Sequence, residues 1–371
     1  MTEAPSHGQT PETMKEAPTQ SPKFDPNAAA SDDSGVFGLP FTEAQAQLVY
    51  LPIAWEATTS YGGGTSDGPD AIFEASKQVD LFDIEVDKFY ECGLFMREAD
   101  PRFRAWNEEG KGLAQKIIEV AGVIDGQPDL EKALDRVNAL GNQVNDLVRE
   151  QTLSVLNAGK IPGLVGGDHS VPFGAFQAVA EKNPEGFGIL HFDAHSDTRI
   201  AYEGFQWSHA SIMHNALERI PGIKKLVQVG IRDFCEQEWD YCQSQGDRVK
   251  VFFDADLSQR RFSGEPWAKT TDAIVAALPQ KVWISFDIDG LDPRFCPNTG
   301  TPVAGGLDFR EAIHLIGAVA KSGRTIIGFD LNEVAPDAEG KNEWDANVGA
   351  RLLYKLTGFT LASQGKARFR G

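Results

Sequence analysis

The sequence predicts an α/β fold built on a mainly parallel sheet, on three observations. Short apolar runs recur along the chain, continuous rather than alternating, as strands covered on both faces are. Helical patterns lie between them. Three clusters of aspartate and histidine each close an apolar run, and in parallel sheets functional groups gather at the carboxyl ends of strands.

Taken in order, residues 1–34 are rich in Pro, Ser, Thr, Ala, Glu and Gln and hold very few large apolar side chains. In isolation such a segment buries too little surface to offset its ordering entropy, so it reads as a flexible arm. From Gly35 the composition is globular, without a long linker or an internal repeat, and residues 35–371 are expected to form one domain. Residues 47–53, 163–165, 188–192, 226–229, 249–253, 282–286 and 325–329 read as buried strands. Residues 130–158 carry Leu and Val at helical spacing, and 170–181, 210–218 and 308–321 follow as helices.

Of the 371 residues 41% are apolar, enough for a substantial core, and the formal net charge is −19. That charge argues against nucleic acid, whose binding rests on cationic contacts to phosphate, and against an anionic membrane surface. Its ordinary consequence is solubility. The four cysteines, Cys92, Cys235, Cys242 and Cys296, form no CxxC pair and read as free thiols rather than a disulfide framework or zinc ribbon. No run of about 18 apolar residues predicts a membrane span. No basic region followed by an apolar stretch opens the chain, so a cytoplasmic protein is expected.

The chemistry lies in the three clusters: Gly166 to Ser170 (Gly-Gly-Asp-His-Ser), Asp193 to Asp197 (Asp-Ala-His-Ser-Asp) and Ser285 to Gly290 (Ser-Phe-Asp-Ile-Asp-Gly). At two-residue spacing on an extended segment, Asp193, His195 and Asp197 point the same way and converge on one point; Asp287 and Asp289 repeat the pattern. His169 adds a nitrogen after the Gly166-Gly167 pair, expected to let the backbone turn sharply. Carboxylates bridge two metals well, and this many suggest a metal pair roughly 3.5 Å apart. Mixed His and Asp donors without thiolate suit Mn, Ni, Co or Zn in a reactive site more than Ca or a structural zinc. One such cluster alone is usually a capped turn; three at strand ends favour metal. The flanking apolar runs imply partial burial, for which a cation compensates.

These motifs, extended to Phe-Asp-Ala-His-Ser-Asp and Ser-Phe-Asp-Ile-Asp-Gly-Leu-Asp-Pro, resemble the three signatures of the ureohydrolases, the arginase and agmatinase family, over roughly residues 35–371. The resemblance implies a three-layer α/β/α sandwich on an eight-stranded sheet, two divalent metal ions per chain with manganese the usual pair, and homo-oligomers that are trimers or hexamers. It implies that His169, Asp193, Asp197 and Asp287 hold one metal. Asp193, His195, Asp287 and Asp289 hold the other, with a hydroxide between the ions attacking the guanidinium carbon. It assigns His209, in Trp-Ser-His-Ala-Ser, to protonating the departing amine, and Glu333, in Asp-Leu-Asn-Glu-Val-Ala-Pro, to pairing with the guanidinium. His214 is read as structural.

Within the family, the position two residues after Asp197 is Arg199, where arginases carry asparagine. This departs from an arginine-binding pattern and, if it points inward, repels an ammonium tail; formiminoglutamases often have arginine here. The stretch 55–65, the long arm and residues 342–353 resemble the cyanobacterial guanidine hydrolases, which form urea and ammonia from free guanidine and are associated with nickel; metal-loading accessory proteins are candidate partners. Tyr61, Trp207 and Trp344 are candidates to close a small pocket. Agmatinase or another guanidino-acid ureohydrolase, then formiminoglutamase, are the alternatives. A one-zinc deacetylase on the same fold, or a metal-stabilised non-enzyme, would not need the full set.

Overall fold

In a computed structural model, Met1 and residues 24–370 are described; residues 2–23, most of the expected arm, lie outside the described residues, as does Gly371. The remainder of the arm lies on the body. Phe24 packs against the core, and Lys77 Nζ donates to the Asp32 carbonyl at 3.0 Å.

Eight strands form the central sheet: β1 (Leu48–Ile53), β2 (Leu94–Met96), β3 (Ile161–Gly166), β4 (Phe187–Phe192), β5 (Ile223–Ile231), β6 (Val249–Phe253), β7 (Lys281–Asp287) and β8 (Thr325–Asn332). Their order is β2-β1-β3-β8-β7-β4-β5-β6, and every pairing is parallel. All seven strands expected from apolar runs are present. The edge strand β2 is three residues long, too short for a periodic signal. So is the antiparallel ribbon of Val86–Asp87 with Arg368–Phe369.

Alternate residues of β1 enter two different cores, as the pleat requires. Leu48 and Tyr50 join one with Ile72, Ile313 and Leu353; Val49 and Leu51 join the other with Leu140, Phe176 and Met213. The sheet is therefore covered on both faces, giving three layers. The first face carries α1 (Gly68–Ser76), α7 (Asp254–Phe262), α8 (Trp267–Ala277), α9 (Phe309–Lys321) and α10 (Trp344–Ser363). The second carries α3 (Pro128–Asn157), α4 (Phe173–Lys182), α5 (Ile212–Arg219) and α6 (Glu236–Ser244), with α2 (Pro101–Ile118) alongside α3.

Helix ends follow local chemistry. Pro128 opens α3 at a position where a missing N–H costs nothing. Asp308 and Glu311 form a reciprocal capping box at the start of α9, with Asp308 Oδ1 accepting from Arg310 N–H at 2.8 Å. The helix expected over 210–218 begins instead as a 3₁₀ turn, His209–Ser211, because Ser208 Oγ accepts from Ala210 N–H at 3.3 Å. Among the described residues, no helix is long and apolar enough to cross a membrane, and all four cysteines are free.

Candidate metal centre

Each predicted cluster follows the carboxyl end of a strand: His169 three residues after β3, Asp193 directly after β4, Asp287 at the end of β7, and Glu333 directly after β8. These strands are neighbours in the sheet, with Phe192 opposite Phe286 and Asp287 opposite Asn332. Register alone thus brings together side chains up to 164 residues apart in sequence.

Asp193, His195 and Asp197 do not converge on one point. The segment is a loop rather than a strand, and Asp197 has φ of 56°. His169 Nδ1 lies 3.0 Å from Asp193 Oδ2, 3.2 Å from Asp287 Oδ2 and 3.5 Å from Asp197 Oδ2. His195 Nδ1 lies 3.1 Å from Asp289 Oδ2 and 3.4 Å from Asp193 Oδ1. Two donor groups result, one of His169, His191, Asp193 and Asp197 and one of Asp193, His195 and Asp289, sharing Asp193. His195 is 24% exposed at its side chain; the aspartates and His169 are buried.

Hydrogen bonds behind His169 define its role. Ser285 Oγ donates its one proton to Asp330 Oδ1 at 2.8 Å, so at 2.8 Å from His169 Nε2 it accepts. Trp283 Nε1 and Asn332 Nδ2, each at 2.5 Å, complete the donors around Asp330. Nε2 thus carries a proton, and Nδ1 is the atom aimed at three carboxylates. Although burial works against its charge, hydrogen bonds accepted by Asp193, Asp287 and Asp330 hold the His169 pKa well above its usual value. Burial likewise opposes a charge on His195, yet Asp289 and Asp193 push it up to about 12. Burial, then Asp289 and Asp193, drives Asp287 well above the carboxylate range; burial, then Asp193, does so for Asp197. So many buried carboxylates balanced only by imidazole protons form a site that divalent cations fit, and the nitrogen and oxygen donors suit borderline ions.

The Gly166-Gly167 pair works by close approach rather than by a turn, since neither glycine has positive φ. A Cβ on Gly167 would lie 2.0 Å from the Trp55 carbonyl oxygen, and one on Gly166 2.0 Å from Asn332 Oδ1.

His209 and Glu333 adjoin the centre. His209 Nδ1 lies 3.3 Å from Glu333 Oε1, which also accepts from the His169 backbone N–H at 2.9 Å. Glu333 Oε2 is buried and has no partner among the described residues. Burial opposes a charge on His209, but Glu333 and Asp168 hold its pKa above the usual imidazole value. Burial and the Glu333 charge push Asp168 up to about 7. Glu333 at φ 62° and Asp197 store backbone strain of about 1–3 kcal/mol each.

A cavity of about 250 Å³ opens over His195, Asp197, Asp287 and His209. Tyr61 lines it and is 72% exposed. Trp207 packs in the core against Phe173 at 4.7 Å, and Trp344 lies on the surface with Nε1 bonded to the Arg294 carbonyl. Neither lines the cavity. Arg199 does, beside Asp233 and Glu238. His214 lies against Tyr241, ring centroids 4.8 Å apart and tilted, and belongs to neither donor group.

Sequence reasoning missed Asp168, His191, Gln228, Asp330 and Asn332. A histidine inside the apolar run Gly-Ile-Leu-His-Phe, and Asp330 with Asn332 at strand spacing before Glu333, were the available signals.

The sequence model of the arginase family matches residues 46–358. An N(1)-aminopropylagmatine ureohydrolase of Thermus thermophilus is 32% identical over 327 residues, covering 87% of this chain and 94% of that protein. An agmatinase of Bacillus subtilis is 29% identical over 317 residues, covering 85% and 91%. Among solved structures, proclavaminate amidino hydrolase from Streptomyces clavuligerus shares the fold with a TM-score of 0.67 at 23% identity, covering 91% of this chain and 99% of that one.

Proposed function

The chain belongs to the arginase family, and from that premise we propose that it hydrolyses a C–N bond of a guanidino compound, releasing urea. The observation that carries this is the pair of donor groups sharing Asp193, set beside the His209–Glu333 pair. His169, Asp193, Asp197 and Asp287, whose Oδ2 lies 3.2 Å from His169 Nδ1, would hold one divalent ion, and Asp193, His195, Asp287 and Asp289 the other. Bound there, the ions would supply a water-derived nucleophile at neutral pH. The chain's own residues do the rest. Glu333 Oε2, buried and without a donor among the described residues, accepts from the guanidinium. His209, whose pKa Glu333 and Asp168 raise against the effect of burial, gives a proton to the departing nitrogen.

Free guanidine is the substrate we favour. A protein guanidinium, Arg199, already stands in the cavity wall, so a substrate's cationic tail that reached it would meet a like charge. It pairs with Glu238 at 3.6 Å and lies 5.0 Å over the Tyr202 ring. A substrate without a tail needs no further partner there. A second reading is agmatine or an agmatine-like amine. Asp233 and Glu238 in the same wall offer carboxylates to an ammonium, and the Thermus and Bacillus relatives are named for agmatine or an aminopropyl derivative of it.

The test is to load the protein separately with nickel and manganese. Guanidine, agmatine, arginine, guanidino acids and formiminoglutamate are then supplied, and ammonia and urea measured. Urea and ammonia from guanidine alone support the favoured reading, and the faster metal identifies the cofactor. Urea only from agmatine supports the second reading, and no urea from any compound overturns the proposal.

A further inference from the structure

His191 places a nitrogen among the donors of the first metal group, 2.8 Å from Asp193 Oδ2 through Nε2. Distance alone makes it a candidate ligand. The hydrogen bonds behind it exclude that role.

The chain of donors starts at a backbone carbonyl. Ser196 O can only accept, and Gln228 Nε2 lies 2.7 Å from it. This fixes which end of the Gln228 amide faces the carbonyl. The same Nε2 lies 3.0 Å from His191 Nδ1. Its second N–H is therefore directed at Nδ1, which accepts, and the ring proton sits on Nε2. Nε2–H then donates to Asp193 Oδ2. The Gln228 carbonyl oxygen is also taken, with Ser196 Oγ at 3.3 Å. His191 and Gln228 are fully buried, so bulk solvent does not compete for these bonds. The network closes on itself: Ser196 stands in the loop of Asp193, His195 and Asp197, Gln228 on β5, and His191 on β4.

We propose that His191 is a positioning residue rather than a metal ligand: Gln228 locks it as the Nε2–H tautomer, and that N–H orients the shared carboxylate of Asp193 toward both ions. The contrast with His169 makes the point. There Ser285 takes the Nε2 proton and Nδ1 is the atom aimed at the carboxylates. At His191 the nitrogen facing the carboxylate is the protonated one.

This rests on the reading of Asp193 as a ligand, and the test separates the two. Full-length protein labelled with ¹⁵N-histidine and loaded with Zn²⁺ is examined by NMR, and zinc content and affinity are measured for wild type, His191→Phe and His191→Gln, with thermal midpoints confirming folding. The glutamine amide presents an N–H near the place of Nε2. Expected are an Nε2–H tautomer for His191, zinc binding roughly ten- to a hundredfold weaker in His191→Phe, and recovery of most of that loss in His191→Gln. A proton on Nδ1, a doubly protonated or zinc-bound ring, equal affinity in wild type and His191→Phe, or no recovery in His191→Gln overturns the inference. If His191→Phe does not fold, the tautomer and the glutamine variant decide. A wild-type protein that takes up no zinc, nickel or manganese overturns the binuclear reading itself, and the role of His191 with it.

Discussion

Arg199 Nε lies 3.6 Å from Glu238 Oε2 in the wall of the cavity, so the Glu238 carboxylate there already has a cation supplied by the protein itself. Glu238 is held in place by N–H donors from Thr198 at 3.1 Å and Cys235 at 3.0 Å. In Arg199→Ala its carboxylate loses its cation and faces the widened cavity. The kcat/KM for agmatine relative to guanidine is expected to rise by about tenfold, the value of one exchanged charge contact near 1.4 kcal/mol. Competition between the two substrates measures it, and an unchanged ratio removes Arg199 from specificity.

His209→Ala is expected to lower kcat by roughly 10²- to 10⁴-fold, the usual worth of a positioned acid or base. Folding and metal content should be unaffected, because His209 lies at 3.3 Å from Glu333 rather than within the donor groups. The pH profile carries the sign. The His209 pKa is raised, so the protonated acid is present below that raised value and wild-type activity declines as pH climbs through it. The alanine variant should lack this decline; if both profiles share it, another group is the acid.

Gly167→Ala places a Cβ 2.0 Å from the Trp55 carbonyl oxygen and 3.0 Å from the Trp55 nitrogen. Backbone on that side cannot rotate away, so a loss of roughly 1–3 kcal/mol or more is expected, together with lower metal content because His169 must shift. Gly112→Ala is the control: it lies in α2 with nothing within 4 Å and should gain about 0.5–1 kcal/mol. Denaturant midpoints for the pair test it, and equal midpoints would remove the steric argument.

Glu56 ties down the segment that brings Ser60 and Tyr61 to the cavity. Its Oε2 accepts from Thr65 Oγ1 at 3.0 Å and Ser66 N–H at 3.2 Å, and Oε1 from Lys111 Nζ. Burial raises its pKa, but Lys111 and the Ser66 and Thr65 donors outweigh burial and hold it below the usual glutamate value. A depressed carboxylate contributes stability above its unfolded pKa and loses it as pH falls through the folded one. Glu56→Gln should therefore cost roughly 1–3 kcal/mol at neutral pH, and the gap to wild type should close in acid. A gap independent of pH between neutral and about pH 3 would show that the charge of Glu56 plays no part.

The identities of the candidate ligands were legible because each cluster is local: Asp193, His195 and Asp197 lie within five residues, and each cluster closes an apolar run. Their grouping was not. An extended segment would send all three side chains one way, whereas the left-handed backbone at Asp197 sends it toward His169 and leaves His195 to Asp289. The aromatic candidates show the same limit. Tyr61 reaches the cavity, while Trp207 is drawn into the core by Phe173 and Trp344 stays on the surface.

From the sequence alone came the α/β class, seven of the eight central strands and a set of candidate ligands confined to strand ends, since all three rest on periodicity and short spacings. Tertiary structure alone decided that β3, β8, β7 and β4 lie side by side, because strand order depends on helices packing across both faces. It alone decided which histidine nitrogens carry protons: Ser285 and Asp330 set His169, and Ser196 and Gln228 set His191. A hydrogen bond between residues 116 apart, such as His169 with Ser285, leaves no trace in local pattern. It exists only once the sheet has brought the strands into register.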